Sequence, residues 1–280
     1  MPTYDFHQHL WPPALIEALR ARSERPRLRG SVLQLPSGDF ELDVTCHEPA
    51  ARLAFLDRHE LDVAVISCPP TLELDAELVE AYHDGILELV AESDGRLLAL
   101  ASGAVRAGFS GACVPAPALG DLDALAPVLT ELERRGQLLF VHPAPAGRTL
   151  DQPSWWPFVV GYTAQMQAAY AAWLAGGAER WPELRVLFAI LAGGAPIQLE
   201  RLASRGLDTR AVLHEHVYFD TASYGERALE LAMATFGVGH LVYGSDWPII
   251  DAEATLRAVR GFGQAVTDAV CRENPARLLQ

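Results

Sequence analysis

The chain contains no lysine; all 22 of its basic residues are arginine. That absence removes several chemistries at once. No Schiff base can form, no pyridoxal cofactor can be anchored through a lysine, and no Walker-type lysine can meet a phosphate. A metal pair bridged by a carbamylated lysine is excluded as well. Basic charge is scarce overall: against 36 acidic residues the net charge is −14. Nucleic-acid binding needs basic surface, so no nucleic-acid partner is expected. Cysteine is also sparse. Cys46, Cys68, Cys113 and Cys271 are scattered with no Cys-x-x-Cys spacing, which points to free thiols. No apolar run reaches membrane-spanning length, and the N-terminus lacks a basic-then-apolar signal pattern. The expectations are no membrane association and a cytoplasmic location.

What is present suits a compact fold. Of the 280 residues, 50% are hydrophobic and 21% charged, enough to bury a large core. A first strand is predicted to end at His7-Gln8-His9. Further strands are predicted at 61–67, 96–101, 111–114, 137–142, 184–191, 217–221 and 241–244. Helical patterns separate most of them, among them 49–59, 74–92 and 122–135. Eight strands in such alternation predict an α/β fold, a (β/α)8 barrel of TIM type, as one domain over 1–280. Between 101 and 111 there is no room for a helix, so the connection between the third and fourth strands is shortened.

The segment from about 11 to 47 is too long for an ordinary connection. Alternating stretches at 31–35 and 40–44 flank Pro36-Ser37-Gly38-Asp39, a hairpin signature. The excursion reads as a lid. Its arginines, Arg20, Arg22, Arg25, Arg27 and Arg29, read as a solvated face, with an anchor for an acidic substrate as the alternative.

A barrel carries its chemistry at the C-terminal ends of its strands. His7 and His9 share one strand face with Asp5. The fifth strand ends at His142, and Asp246 follows the eighth. Singly, each has a plain structural explanation. Together, three imidazoles and one carboxylate make a coherent site for a single divalent ion. Asp5 is expected to support the ligands from below. Asp220, near the end of the seventh strand, reads either as inward support or as part of a turn network. Trp11, Trp155, Trp156 and Trp247 follow strand ends and would ring the pocket mouth, although core packing explains each one alone. Arg148 follows His142 and could meet a substrate carboxylate or lie at the surface. Cys113 reads as a small core residue.

Several segments resemble the amidohydrolase-related superfamily, in the branch of aminocarboxymuconate-semialdehyde decarboxylase-like enzymes. They are Asp5-Phe-His-Gln-His9, Phe140-Val-His-Pro143, Leu191-Ala-Gly-Gly-Ala-Pro196 with Leu199-Glu-Arg-Leu202, Tyr218-Phe-Asp-Thr221, Gly244-Ser-Asp-Trp-Pro248 and Asn274-Pro-Ala-Arg-Leu-Leu279. The resemblance implies that His7, His9, His142 and Asp246 hold one metal, usually zinc and sometimes manganese. It also implies a homodimer and a small-molecule substrate.

One position departs from the family pattern. The sixth strand usually ends in a histidine that assists proton transfer, and here Ile190 stands there, in the pocket. Either another group substitutes, or the reaction does not need it, or the protein binds without turnover. His214 and His216 precede the seventh strand and belong to the far end of the barrel. His47 is better placed, with a plain surface role as its alternative.

The expected function is a mononuclear metal-dependent hydrolase, and the resemblance implies its substrate class, a small cyclic or aromatic amide, lactone or acid. Asp246 would serve as general base toward water activated by the ion. The first alternative is non-oxidative decarboxylation of an aromatic or unsaturated acid, which wants a cationic anchor such as Arg148 or a lid arginine. The second is a non-catalytic barrel that binds a metal or ligand.

Overall fold

The structure is a computed structural model that describes residues 1–149, 151–206, 208 and 214–280. Its first half runs β1 (Tyr4–Gln8), α1 (Pro13–Ala21), β2 (Arg27–Arg29), β3 (Val32–Leu35), β4 (Gly38–Glu41), α2 (Pro49–Arg58), β5 (Val63–Ile66), α3 (Ala76–Glu92), β6 (Leu97–Ser102) and β7 (Gly111–Pro115). The second half contributes α4 (Leu122–Arg135), β8 (Leu138–His142), α5 (Tyr162–Ala172), β9 (Val186–Phe188), β10 (Val217–Asp220) and β11 (Leu241–Val242).

Eight strands form one parallel sheet in the order β1-β5-β6-β7-β8-β9-β10-β11. Residues of β5 and β8 are buried throughout, as expected where helices cover one face and the barrel interior the other. The two ends of the sheet meet. Phe6 N donates to Tyr243 O at 2.8 Å, His9 N to Trp247 O at 3.0 Å and Asp246 N to His7 O at 2.7 Å. The predicted TIM-type barrel is therefore observed. The short third connection is observed too: β6 and β7 pair in parallel with no helix between them.

Local chemistry sets the helix ends. Pro49 opens α2 at its first turn, Asp75 caps α3 by accepting from Leu78 N at 3.2 Å, and Gly136 closes α4 in the left-handed region. The sixth strand is shorter than predicted. It ends at Phe188, because Ile190, Leu191 and Ala192 turn into the left-handed region at φ of 47°, 49° and 48°.

The excursion after β1 is α1 followed by an antiparallel sheet of β2, β3 and β4. Leu28, Leu33 and Leu35 bury its inner face. The hairpin docks beside the barrel mouth, where Ser37 N donates to Glu73 Oε2 at 3.0 Å. Four of the five lid arginines commit their guanidinium groups to contacts that hold it in place. Arg22 pairs with Asp75 at 2.6 Å and Arg25 with Asp39 at 2.7 Å. Arg27 Nε donates to Gln34 Oε1 at 2.7 Å, and Arg29 Nη1 to Arg20 O at 2.8 Å.

Candidate metal centre

The ligand-bearing strands converge at the mouth of the barrel. Among the described residues, His7, His9 and His142 bring a ligating atom each within 4.8 Å of one another. His7 Nε2 and His9 Nε2 are 3.2 Å apart. Asp246 Oδ1 lies 3.5 Å from the first and 3.2 Å from the second. The other nitrogen of every ring is already committed. His7 Nδ1 donates to Asp220 Oδ2 at 2.7 Å, His9 Nδ1 to Ser67 O at 3.0 Å and His142 Nδ1 to Pro143 O at 2.8 Å. A carbonyl oxygen only accepts, so the proton of His9 and of His142 sits on Nδ1. The Nε2 lone pairs then face one another and a carboxylate oxygen. Such a set repels itself unless positive charge lies among it, and it is the donor set of a divalent transition ion. The residues fit a metal.

Without a metal, protonation supplies part of that charge. Burial lowers the pKa of His9 and, with the charges of His7 and His9, that of His142. His7 differs. Burial opposes its charged form, but Asp220, Asp246 and Asp5 outweigh burial and raise its pKa to about 9. Near neutral pH an incoming cation must therefore displace a proton from His7. The expected result is about one proton released per metal ion bound near pH 7.5, and an apparent affinity that rises roughly tenfold per pH unit and levels off above about pH 9. Metal titration in weakly buffered solution with a pH indicator measures this. Uptake with no proton released would show that His7 is neutral.

Asp5 and Asp220 divide the supporting work. Asp5 touches backbone: Oδ1 accepts from Ser245 N at 2.9 Å and His7 N at 3.3 Å, and Oδ2 accepts from Gln8 Nε2 at 2.6 Å. Burial raises its pKa, and the bonds from Ser245 and Gln8 act against that rise. Asp220 orients a ligand ring through His7. Its Oδ1 also accepts from Ile190 N at 2.8 Å and Ala222 N at 3.0 Å. At the seam, a Cβ on Gly244 would come within 2.7 Å of the His7 Cβ, so only glycine leaves the ligand its place.

Asp220 thereby fastens the Ile190 turn. Holding three non-glycine residues in the left-handed region costs roughly 1–2 kcal/mol each. The turn persists because its surroundings over-determine it. Besides Asp220, Gln167 Nε2 donates to Gly193 O at 2.8 Å, and a Cβ on Gly193 would lie 2.5 Å from Thr163 O. The backbone role of position 190 is intact, although its side chain carries no proton.

Sequence reasoning missed Arg52. Its guanidinium is fully buried. Nη2 donates to His9 O at 2.6 Å, and Nη1 donates to Gln8 Oε1 at 2.6 Å and Trp247 O at 3.3 Å. The group also lies 4.1 Å over the Trp247 ring. Arg52, Gln8 and Asp5 form one chain that ties β1 to the segment after β11. A signal existed: Arg52, Phe55, Leu56 and His59 share helical spacing on the buried face of α2. Tyr162 was missed as well. Burial first, then the charges of Asp246 and Glu73, raise its pKa to about 12.

The four tryptophans do not form one ring around the pocket. Trp11 is buried and stacks on His47, with centroids 4.3 Å apart. Trp247 stacks on Phe55 at 4.6 Å, toward α2. Trp155 is 52% exposed and Trp156 half-buried beside it, so Trp155 is a surface residue. Arg148 also lies at the surface and donates to Gln152 O at 2.9 Å. His214 and His216 lie together, with His216 near Glu183 and Glu215. Cys113 is buried as expected. His47 is buried rather than exposed. Burial, then Arg52 and His9, lower its pKa to about 3, so it is neutral.

A donor set of this kind at the mouth of a TIM-type barrel defines a class of metal-assisted enzymes, and comparison supplies the family. The chain belongs to the family described as Amidohydrolase, which it matches over residues 4–280. It is 26% identical, over 85% of its own length and 78% of the other's, to a 2-amino-3-carboxymuconate-6-semialdehyde decarboxylase of Dictyostelium discoideum. Its fold is similar to that of the Metarhizium anisopliae IDCase, with a TM-score of 0.83, 22% identity and coverage of 99% and 97%. It is similar also to the 5-carboxyvanillate decarboxylase of Novosphingobium aromaticivorans complexed with manganese, with a TM-score of 0.72, 16% identity and coverage of 99% and 96%.

These names correct the expectation of hydrolysis. The metal donors alone favoured no reaction over another, and the relatives named by activity are decarboxylases.

Proposed function

We propose that this chain is a metal-dependent, non-oxidative decarboxylase acting on an aromatic or unsaturated carboxylic acid. The observation that carries the proposal is the convergence of His7, His9 and His142 with Asp246 in a chain 26% identical to a 2-amino-3-carboxymuconate-6-semialdehyde decarboxylase. His7, His9, His142 and Asp246 would hold one divalent ion, zinc or manganese; manganese accompanies the Novosphingobium enzyme. Such an ion supplies a fixed positive charge for oxygen atoms of the substrate.

The remaining steps belong to the protein. Asp246 keeps a 15% exposed side chain, the most open of the four donors, and so can reach a bound molecule. Ionised when free, it takes a proton from solvent water and relays it to the carbon that bears the carboxylate. There a π electron pair of the substrate forms the new carbon–hydrogen bond. The carbon–carbon bond then breaks, its electron pair restores the π system, and carbon dioxide leaves. The Ile190 side chain offers no proton of its own. The buried Phe140, edge-on to His7 at 5.1 Å, keeps water from that side.

Two measurements test this reading. Protein purified without added metal should carry about one equivalent of zinc or manganese, lost in His9→Ala. A panel of aromatic acids and lactones, followed for carbon dioxide against acid production, should give carbon dioxide. Acid production from a lactone, or no metal under any loading condition, would overturn it.

A further inference from the structure

Two buried N–H groups near the centre lack an acceptor. Among the described residues Trp11 Nε1 and His47 Nε2 have no hydrogen-bond partner, and both residues are 2% exposed. The His47 tautomer is fixed. Its Nδ1 accepts from Trp11 N at 3.1 Å, so the proton sits on Nε2. The two rings are nearly parallel, with centroids 4.3 Å apart and an interplanar angle of 18°. Buried donors are almost always satisfied, and a pair left open on stacked rings calls for a reason.

Their place in the fold suggests one. Trp11 lies two residues beyond His9 on the same chain segment. His47 ends the turn Val44–His47 that closes the lid excursion. Arg52 joins the two regions by holding His9 O. Around them most cations are engaged, although the buried Arg52 Nε also lacks an acceptor among the described residues. Arg22 and Arg25 are paired within the lid region, Arg148 is at the surface, and Arg52 is bound to Gln8, His9 and Trp247. A substrate carboxylate entering here finds two neutral ring N–H donors.

Neutral donors suit the reaction. The carboxylate loses its negative charge as carbon dioxide forms. A cation fixed on it stabilises the ground state more than the transition state and slows the step. Two N–H groups orient the carboxylate and release it more readily.

We propose that the Trp11 indole N–H and the His47 imidazole N–H form a neutral two-donor subsite for a carboxylate oxygen of the substrate. The assignment rests on the decarboxylase reading. Both atoms are shielded, so the oxygen reaches them only as the lid segment ending at His47 gives way.

The test uses metal-loaded protein and two probes, 2-hydroxybenzoate and phenol, with binding measured by calorimetry. Trp11→Phe keeps the aromatic stack and removes one donor. It should weaken 2-hydroxybenzoate about tenfold or more and phenol less than about twofold. His47→Phe should do the same, and His47→Gln, whose amide reaches toward the lost Nε2 position, should recover part of the loss. Elemental analysis of each variant should show unchanged metal content. If His47→Phe does not fold, Trp11→Phe decides. Equal weakening of both probes, wild-type affinity in Trp11→Phe, or no binding of 2-hydroxybenzoate by the wild type would each overturn the subsite. The reaction is checked separately. Carbon dioxide release by the wild type with an unaffected Trp11→Phe sinks the subsite alone. Donor-dependent binding with no carbon dioxide from any acid sinks the reaction and leaves the subsite.

Discussion

Asp246→Asn lowers carbon dioxide release by about 10²–10⁴-fold while the protein stays folded. The substitution is nearly isosteric, and asparagine tolerates the left-handed backbone that Asp246 adopts at φ of 58°. The bond from Asp246 N to His7 O, at 2.7 Å, is backbone and survives. What is lost is the negative charge 3.2 Å from His9 Nε2 and the ability to carry a proton. Burial works against ionisation of Asp246, and the charges of His7 and His9 overcome it, so the group is a carboxylate when free. An amide can still offer an oxygen to a metal, so metal content should fall less than activity. Single-turnover assays at saturating metal separate the two. Activity within tenfold of the wild type would remove Asp246 from the proton path.

Asp220→Ala has the largest expected effect on stability. One side chain serves three buried donors: His7 Nδ1, Ile190 N and Ala222 N. Removing one partner of a buried charged pair costs about 3–5 kcal/mol, because the other is left without compensation. For a chain of this size that lowers Tm by about 10 °C. Metal affinity should drop by about 10–100-fold, since the His7 ring loses the acceptor that orients it. Asp220→Asn separates the two roles. Its amide oxygen can keep the bonds to Ile190 and Ala222, while its amide nitrogen faces His7 Nδ1 as a donor against a donor. It should therefore retain most of the stability and lose the metal affinity. Calorimetric unfolding with and without metal measures both. Unchanged metal affinity in Asp220→Asn would show that another group sets the His7 ring.

The barrel was legible in the chain because buried parallel strands leave apolar runs and the helices between them leave a different period. The convergence of His7, His9, His142 and Asp246 was legible because strand ends are where a barrel exposes side chains. The rest depended on contacts between distant segments. Nothing local reveals that Asp220 would reach His7 across the barrel. The exposed Trp155 and the buried Trp11 look alike as letters after a strand. Arg52 was concealed because a charged residue on an apolar helix face reads as an interruption until its acceptors are seen. The left-handed turn at Ile190 was concealed for a related reason. A β-branched residue is the last to be placed at positive φ, and the sequence showed only an apolar run continuing the strand. The reaction was legible least of all, because one donor set serves both bond hydrolysis and loss of a carboxylate.

The place where the barrel closes has a consequence for how the molecule assembles. Residues 5–9 and 243–247 come from opposite ends of the chain, and Asp5 Oδ1 bonds Ser245 N across 240 residues of sequence. Closing so long a loop is entropically costly, so this contact forms late in folding. His7 and His9 stand on one side of it and Asp246 on the other. An ion gripped by all three acts as a clasp on the last strand pair to join. A metal held there would lengthen the lifetime of the closed barrel, and metal-depleted protein should open first where its two ends meet.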